Sequence, residues 1–348
     1  MRYDDLPDYF VRQMREASTI FTAWRAADAA RREHQGSMRW KRVKETDYLI
    51  KTSRAGRQRS LGPRSAATAA LHARFNAGKA AARERYRALS DAMRHQRHVN
   101  KALRIGHVPT LWIQILNAIS DGGLTADLTV IGAASTYAYE AAGAIRIRGD
   151  GDGAMLAERC GRLQLAAANR DAAIALLALL RKIDDTFSMR DERRDRAAGA
   201  IFAVNRRGME VELVLVHADG SGRGDELRDL LGGPKFHQPV LGLNGDMAAM
   251  VTLDPRVFAL QKFRIANQLN RTAPERAGAA LLARMILAVV RERMPPPPAI
   301  TADHGDRHAA APPARIPVVC IGEREQRSRV HRGPAQFNTP CRQRHGGA

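Results

Sequence analysis

Three carboxylates in the middle of the chain have the types and spacing that divalent-metal chemistry needs. Asp150 and Asp152 form an Asp-x-Asp pair, and Glu212 follows about sixty residues later. Side chains at i and i+2 of a strand lie on the same face, so both aspartates can hold the same ions. Two-metal phosphoryl chemistry requires such a cluster, because the ions contact the attacking and the leaving oxygens. The three acids therefore predict a site for divalent metal and a nucleotide triphosphate.

The segments upstream of the aspartates predict the elements that must position them. An apolar run at residues 128–131 predicts a buried strand, which Gly132 ends. A helical pattern at 133–142 and a strand at 144–148 then lead to Asp150. Glycine lets phosphates approach the backbone, and the N-terminus of the following helix favours their negative charge. The strand, the glycine turn and the helix together predict a seat for phosphates.

The acids also have a structural interpretation, which the residues alone leave open. Glycines surround the aspartate pair at 149–153, and glycine weakens a strand interior, so this segment can be a flexible acidic turn. Glu212 lies in an alternating apolar run at 211–216, which predicts a strand neighbouring the one before the aspartates. In the structural interpretation, Glu212 is an exposed residue of that strand.

The order of these segments resembles that of nucleotidyltransferase-fold proteins, the DNA polymerase beta-like superfamily. It is most similar to a poorly characterised bacterial family with an added basic N-terminal region. The resemblance covers roughly residues 38–290, and its motifs lie at 61–65, 130–132, 137–140, 150–152, 208–213 and 254–262. It implies an α/β (α+β) fold in which a short mixed sheet is flanked by helices.

The resemblance also implies an activity and a set of site residues. Family members transfer a nucleoside monophosphate from a nucleoside triphosphate (NTP) to a hydroxyl acceptor. By this resemblance Asp150 and Asp152 hold two Mg²⁺ ions, and Glu212 either ligates one ion or deprotonates the incoming hydroxyl. Gly132 and Lys262 are then expected at the triphosphate, although Lys262 also has the plain interpretation of a solvated lysine on a helix.

Three departures from the family pattern keep a second function open. Ala133 stands where the superfamily usually has a small hydroxyl or glycine, and glycines replace the hydrophobic residues around the aspartate pair. Glu212 stands where aspartate is commoner. The alternative is a catalytically degraded protein that binds nucleic acid or a protein partner. A role in antitoxin or phage-defence systems rests only on analogy with other superfamily members.

The charge of the chain predicts a polyanionic partner. It has 56 Lys and Arg against 36 Asp and Glu, a formal net charge of +20. Such a field attracts nucleic acid, and we expect contact through the basic N-terminal region, 1–105. There, Trp40 and Tyr48 lie on a predicted hairpin at 38–51. These aromatics can stack on bases or pack on the next helix, and packing is favoured because so small a hairpin otherwise has little core.

Composition predicts three parts and a cytoplasmic protein. The basic helix–hairpin–helix region is 1–105, the nucleotidyltransferase-like domain with its C-terminal helices is 106–294, and the tail at 295–348 is predicted to be disordered. No apolar run approaches the ~20 residues of a membrane span. The N-terminus lacks a secretion-signal pattern, and three cysteines predict no disulfide framework.

Overall fold

The computed structural model describes residues 2–148, 161–190, 200–216 and 231–294. The helices in these ranges are α1 (Asp8–Glu33), α2 (Ala66–Ala102), α3 (Thr110–Asp121), α4 (Thr136–Gly143), α5 (Arg170–Ile183), α6 (Pro255–Ala266) and α7 (Ala273–Arg293). The strands are β1 (Arg2–Asp5), β2 (Ser37–Val43), β3 (Thr46–Thr52), β4 (Gln58–Pro63), β5 (Leu128–Ile131), β6 (Ile145–Arg148), β7 (Arg162–Ala167), β8 (Ser188–Arg190), β9 (Ala200–Val204), β10 (Glu210–Leu215), β11 (Lys235–Leu241) and β12 (Met247–Leu253).

A mixed seven-stranded sheet forms the centre of the fold, in the order β11-β12-β5-β7-β10-β9-β8. The pairs β12/β5 and β7/β10 are parallel, and the other neighbours are antiparallel. Helices α3 and α5 pack on this sheet, as does α4 against β11. The predicted mixed sheet flanked by helices is therefore confirmed. The segments 200–204 and 211–216, predicted to form paired strands, are the neighbours β9 and β10.

Apolar packing between the helices and the sheet explains why these segments form regular elements. All four residues of β5 are buried, which fits a central strand covered on both faces. Trp112 of α3 is fully buried, and its ring meets Tyr137 of α4 edge-on at 5.9 Å between centroids. Such a pair contributes about 0.5–1.5 kcal/mol beyond its buried area.

The N-terminal module consists of a three-stranded sheet, β2-β3-β4, and the long helix α2. Ser65 caps α2 in a capping box with Thr68. The predicted packing of Trp40 is confirmed, since its ring lies 5.7 Å from that of His72 on α2. Tyr48 pairs across the strands with Lys41, whereas Trp40 pairs with Leu49, so the two aromatics occupy opposite faces of the sheet.

Strand β6 does not join the central sheet, because it pairs with β1 near the start of the chain. The strand predicted to precede the aspartates exists, but its predicted place beside the strand of Glu212 is wrong. Strand β10, which carries Glu212, has β7 and β9 as its hydrogen-bonded neighbours. The residues 162–167, for which the sequence predicted no strand, form β7. Strand β7 lies beside β10, where β6 was predicted.

The predicted disordered tail, 295–348, lies outside the described residues, and the domain boundary at 105/106 stays a prediction. Within the ranges that the structure describes, none of the helices has the length and apolar character that crossing a membrane requires.

Candidate functional site

The turn that follows β5 favours glycine. Gly132 has a φ of 69°, a left-handed conformation that side chains disfavour, and it begins a 3₁₀ turn, Gly132–Ser135. A Cβ built on Gly132 would lie 1.6 Å from Oε1 of Gln164. The backbone and the neighbouring side chain therefore both favour glycine here. The predicted approach of phosphates to this glycine stays a prediction.

Gln164 connects the glycine turn to Glu212. The strand register places Gln164 of β7 opposite Ile131 on one side and opposite Glu212 on the other. Its Nε2 donates a hydrogen bond of 2.6 Å to Oε2 of Glu212. Gln164 is 8% exposed and Glu212 is 1% exposed. A charge-assisted hydrogen bond in such a buried place fixes the direction of the carboxylate.

Arg162, two residues before Gln164, supplies the positive charge beside Glu212. Its guanidinium lies 3.5 Å from Oε2 of Glu212 and 3.1 Å from Oε2 of Glu210. Burying a carboxylate is costly unless a cation or hydrogen-bond donors compensate it, and Arg162 and Gln164 do so. The interpretation of Glu212 as an exposed strand residue is therefore wrong.

The predicted aspartate pair lies outside the described residues. Strand β6 ends at Arg148, two residues before Asp150. The buried carboxylate of Glu140 on α4 holds the strand close to that end. Its Oε1 accepts a hydrogen bond of 2.6 Å from the backbone N–H of Ile147, and its Oε2 lies 2.6 Å from Nε2 of His107. Glu140 thus sets the position from which the chain continues toward Asp150.

The donor chemistry of Glu212 suits an oxygen-ligated cation such as Mg²⁺. Within residues 2–148, 161–190, 200–216 and 231–294, no group of three or more His, Cys, Asp or Glu side chains is close enough to hold a metal ion. Arg162 also places a positive charge at the same carboxylate oxygen that Gln164 contacts. A metal at this carboxylate therefore needs further ligands from outside the described residues, and Asp150 and Asp152 stay the predicted ones.

The last residue of the 3₁₀ turn, Ser135, uses its hydroxyl to join β5 to β12. Ser135 donates a hydrogen bond of 3.3 Å to the carbonyl of Val130 and accepts one of 2.7 Å from Oγ1 of Thr252. Ala133 is buried, with 4% exposure. Lys262 lies on α6, where its Nζ is 5.3 Å from the ring centroid of Phe258. The structure thus joins Gly132 and Glu212 through Gln164, and the role of Lys262 at a triphosphate stays a prediction.

Sequence reasoning missed Gln164 and Arg162 as members of this site. Their strand, β7, had one usable signal, because Leu163 and Leu165 flank Gln164 in a short alternating pattern. Both leucines are buried against the core. The pairing of Gln164 with Glu212 joins strands that are far apart in the chain, so no local pattern could indicate it.

Comparison with known protein families places the chain in one of them. A family model described as a nucleotidyltransferase matches residues 110–304, more than half of the chain. This range includes the glycine turn, β7 and β10, together with the segment of the aspartate pair. No curated protein and no solved structure gives a match.

Proposed function

Because this chain belongs to the nucleotidyltransferase family, we propose that it transfers a nucleoside monophosphate from an NTP to a hydroxyl acceptor. In this reaction the acceptor oxygen forms a bond to the α-phosphorus. The bond between the α-phosphorus and the oxygen bridging to the β-phosphate breaks, and pyrophosphate leaves with its electron pair. The proton of the acceptor hydroxyl passes to a base.

The observation that carries this proposal is the linked arrangement of Gly132, Gln164 and Glu212 at one end of the central strands β5, β7 and β10. The buried acid is held by a hydrogen bond of 2.6 Å, and the same glutamine occupies the space where Gly132 would carry a side chain. Pre-organised polar groups of this kind are needed where charge develops during a reaction. Glu212 is therefore the acid we assign to the reaction, either as a ligand or as the base.

The proposed metal site consists of Asp150, Asp152 and Glu212, with Mg²⁺ as the ion. When bound there, a pair of divalent ions supplies charge stabilisation for the attacking and leaving oxygens. In this proposal Gln164 and Arg162 hold the Glu212 carboxylate in place. The backbone at Gly132 and the ammonium group of Lys262 contact the triphosphate.

A second candidate function is binding without catalysis. Arg162 lies against Glu212 and compensates its charge without a metal, at 3.5 Å. Together with Ala133 and the glycines around the aspartates, this favours a protein that keeps the fold and binds nucleic acid or a protein partner. The two candidates differ in whether removal of the aspartates changes nucleotide chemistry.

The basic N-terminal module is the proposed contact for nucleic acid in both candidates. Arg39 and Lys41 are exposed on the outer face of its sheet, and Tyr48 lies beside them because it pairs across the strands with Lys41. Cations bind phosphates, and an aromatic ring on the same face can stack on a base. This face is the one opposite Trp40, which packs on α2.

The test is incorporation of α-³²P-labelled NTPs by the full chain, with RNA, DNA and protein offered as acceptors. We expect Mg²⁺-dependent incorporation that is lost in Asp150→Ala and in Asp152→Ala. The matched control is Asp171→Asn, which removes an exposed carboxylate from the first turn of α5 and leaves the proposed ligands intact. Triphosphate binding, measured by calorimetry with and without Mg²⁺, provides a readout that does not need the correct acceptor. If both aspartate variants bind Mg²⁺ and triphosphate as the unchanged chain does, the catalytic proposal is wrong.

A further inference from the structure

A cleft with a net positive charge opens at the same end of the strands as Glu212. It encloses about 850 Å³ and is lined by the end of α5, the loop after it, the turn between β9 and β10, and the start of α3. Val204 pairs with Glu210, and Glu210 pairs with Arg162, so the β9–β10 turn lies at the end of the sheet that carries the candidate site. The cleft and the candidate site therefore lie at the same end of the strands.

Four cations line the two walls of this cleft. Arg181 and Lys182 end α5 on one wall, and Arg206 and Arg207 form the β9–β10 turn on the other. All four are exposed, and in the part of the chain that the structure describes, none has an ion-pair partner within 4.0 Å. Two carboxylates in the loop after α5 also line the cleft, so its lining carries a net charge of +2. A concave surface with a net positive charge attracts an anionic ligand.

A hydrogen-bond network holds the two walls in fixed relation. Asp184 accepts hydrogen bonds from the backbone N–H of Thr186 at 3.0 Å and from Nδ2 of Asn205 at 3.0 Å. Asn205 is 4% exposed, and its Oδ1 accepts from the N–H of Arg207 at 3.1 Å. The N–H of Arg206 donates to Oγ1 of Thr186 at 3.2 Å. The arginines thus extend from a backbone that is fixed before any ligand binds.

The lining also distinguishes between kinds of anion. None of the described residues that line the cleft is aromatic, and Leu111 and Ile183 are its only large apolar members. A site for a nucleotide base normally offers an aromatic or apolar face, so this lining fits phosphates and sugars better than a base. Its volume is large for a single phosphate. The chemistry therefore fits a sugar–phosphate backbone.

We propose that this cleft binds the phosphate backbone of a single-stranded nucleic acid whose end is the acceptor of nucleotidyl transfer. The inference rests on the proposed function, because it names the class of acceptor. Arg207 and Glu212 are five positions apart in the chain, which limits their Cα separation to about 17 Å. A stacked strand of about five nucleotides spans that distance. The cleft holds the strand, and its terminal hydroxyl lies at the candidate site.

The test measures strand binding by the full chain with a fluorescein-labelled, twelve-nucleotide polyuridine or polythymidine, over a series of salt concentrations. The variant is Arg206→Gln with Arg207→Gln, which keeps the backbone hydrogen bonds of the turn. Each phosphate contact contributes about 0.7 to the slope of log K against log salt for single strands. We expect the slope to fall by about 1.4 and the affinity at low salt to fall about tenfold.

A matched control removes two exposed arginines elsewhere, Arg264→Gln with Arg284→Gln on α6 and α7. This control is expected to bind the strand with nearly unchanged affinity and slope. The pair Arg181→Gln with Lys182→Gln approaches the cleft from its other wall and is expected to lower the slope like the first variant. Thermal unfolding of each variant verifies that the fold is retained.

Three results would overturn the inference. An unchanged slope in both cleft variants excludes phosphate contacts there, and an equal loss in the Arg264/Arg284 control assigns binding to the general field. Loss of affinity for ATP or pyrophosphate with unchanged strand binding makes the cleft a triphosphate site. The double variant Asp150→Ala with Asp152→Ala is measured as well. If it still binds the strand but transfers no nucleotide, strand binding and catalysis are separate. A failure of the proposed function can then be told apart from a failure of this inference.

Discussion

The Gly132–Gln164–Glu212 cluster and the β2-β3-β4 sheet place polar side chains in opposite surroundings. Glu212 is 1% exposed and its partners are fixed by the register of three strands. In the β2-β3-β4 module, Arg59 of β4 and Arg57 of the turn before it are exposed to solvent. Charges in the first region act individually, because their positions and partners are set by packing. In the second region solvent screens each charge, so one charge contributes little by itself and only the summed charge of the module has a sizeable effect.

This comparison predicts the largest effect at Glu212. Glu212→Gln keeps the size of the side chain but removes its charge, and we expect nucleotidyl transfer to fall by about 10²–10⁴-fold, the usual contribution of a general base. The measurement is the initial rate of labelled NTP incorporation. The control, Glu210→Gln, removes the other carboxylate near Arg162 and is expected to keep most of the activity. Equal losses in the two variants would show that Glu212 has no separate role.

The next largest effect is expected at the glycine turn. Gly132→Ala places a Cβ against Gln164 in a left-handed conformation, and we expect a loss of about 2–4 kcal/mol in unfolding free energy. In a Gln164→Ala background the overlap disappears and only the backbone cost of about 1–2 kcal/mol remains. Urea unfolding of the wild-type chain, the two single variants and the double variant measures the coupling free energy between the two positions. An equal cost of Gly132→Ala in both backgrounds would contradict the contact.

Asp184 in the cleft is intermediate between the two regions, because it is partly exposed yet has fixed hydrogen-bond partners. Hydrogen bonds from Thr186 and Asn205, with the charge of Arg207, hold the pKa of Asp184 below its usual value. A lowered folded pKa contributes stability that is present above the unfolded pKa of about 3.9 and is lost as pH falls through the folded value. The stability difference between the unchanged chain and Asp184→Asn is therefore expected to be constant above about pH 5 and to shrink below about pH 4. A difference that grows on acidification would contradict this sign.

The smallest effect on stability is expected in the basic sheet. Arg57→Gln and Arg59→Gln replace exposed side chains, so each is expected to change the unfolding free energy by less than about 0.5 kcal/mol. Binding of a labelled single strand is expected to weaken modestly, and further as the two changes are combined. A loss of more than about 2 kcal/mol from either change would show that the module's charges are as individually fixed as those of the cluster.

Local patterns in the sequence predicted most elements of the fold. The buried run of β5, the glycine that ends it, and the alternation in β10 each depend on side chains a few residues apart. Strand β7 has only a weak pattern, because Leu163 and Leu165 alternate around Gln164 and three alanines then follow. The same short pattern explains why β6 was expected to neighbour β10.

The candidate site was predicted only in part. The identity of Glu212 as a functional acid was predicted from its motif, while its burial, and its contacts with Gln164 and Arg162, were not. The face occupied by Trp40 was predicted, yet Tyr48 lies on the other face because cross-strand register decides it. Asp150 and Asp152 remain predicted ligands outside the described residues.

The amino-acid sequence by itself determined the mixed α/β class, the family and the position of Gly132 at the end of a buried strand, because neighbouring residues set propensity and periodicity. Only the tertiary structure decided that Gln164 lies between Gly132 and Glu212, and that two pairs of cations face one cleft. Strand order and register bring together residues distant along the chain, and their free energy depends on the packing of the whole sheet.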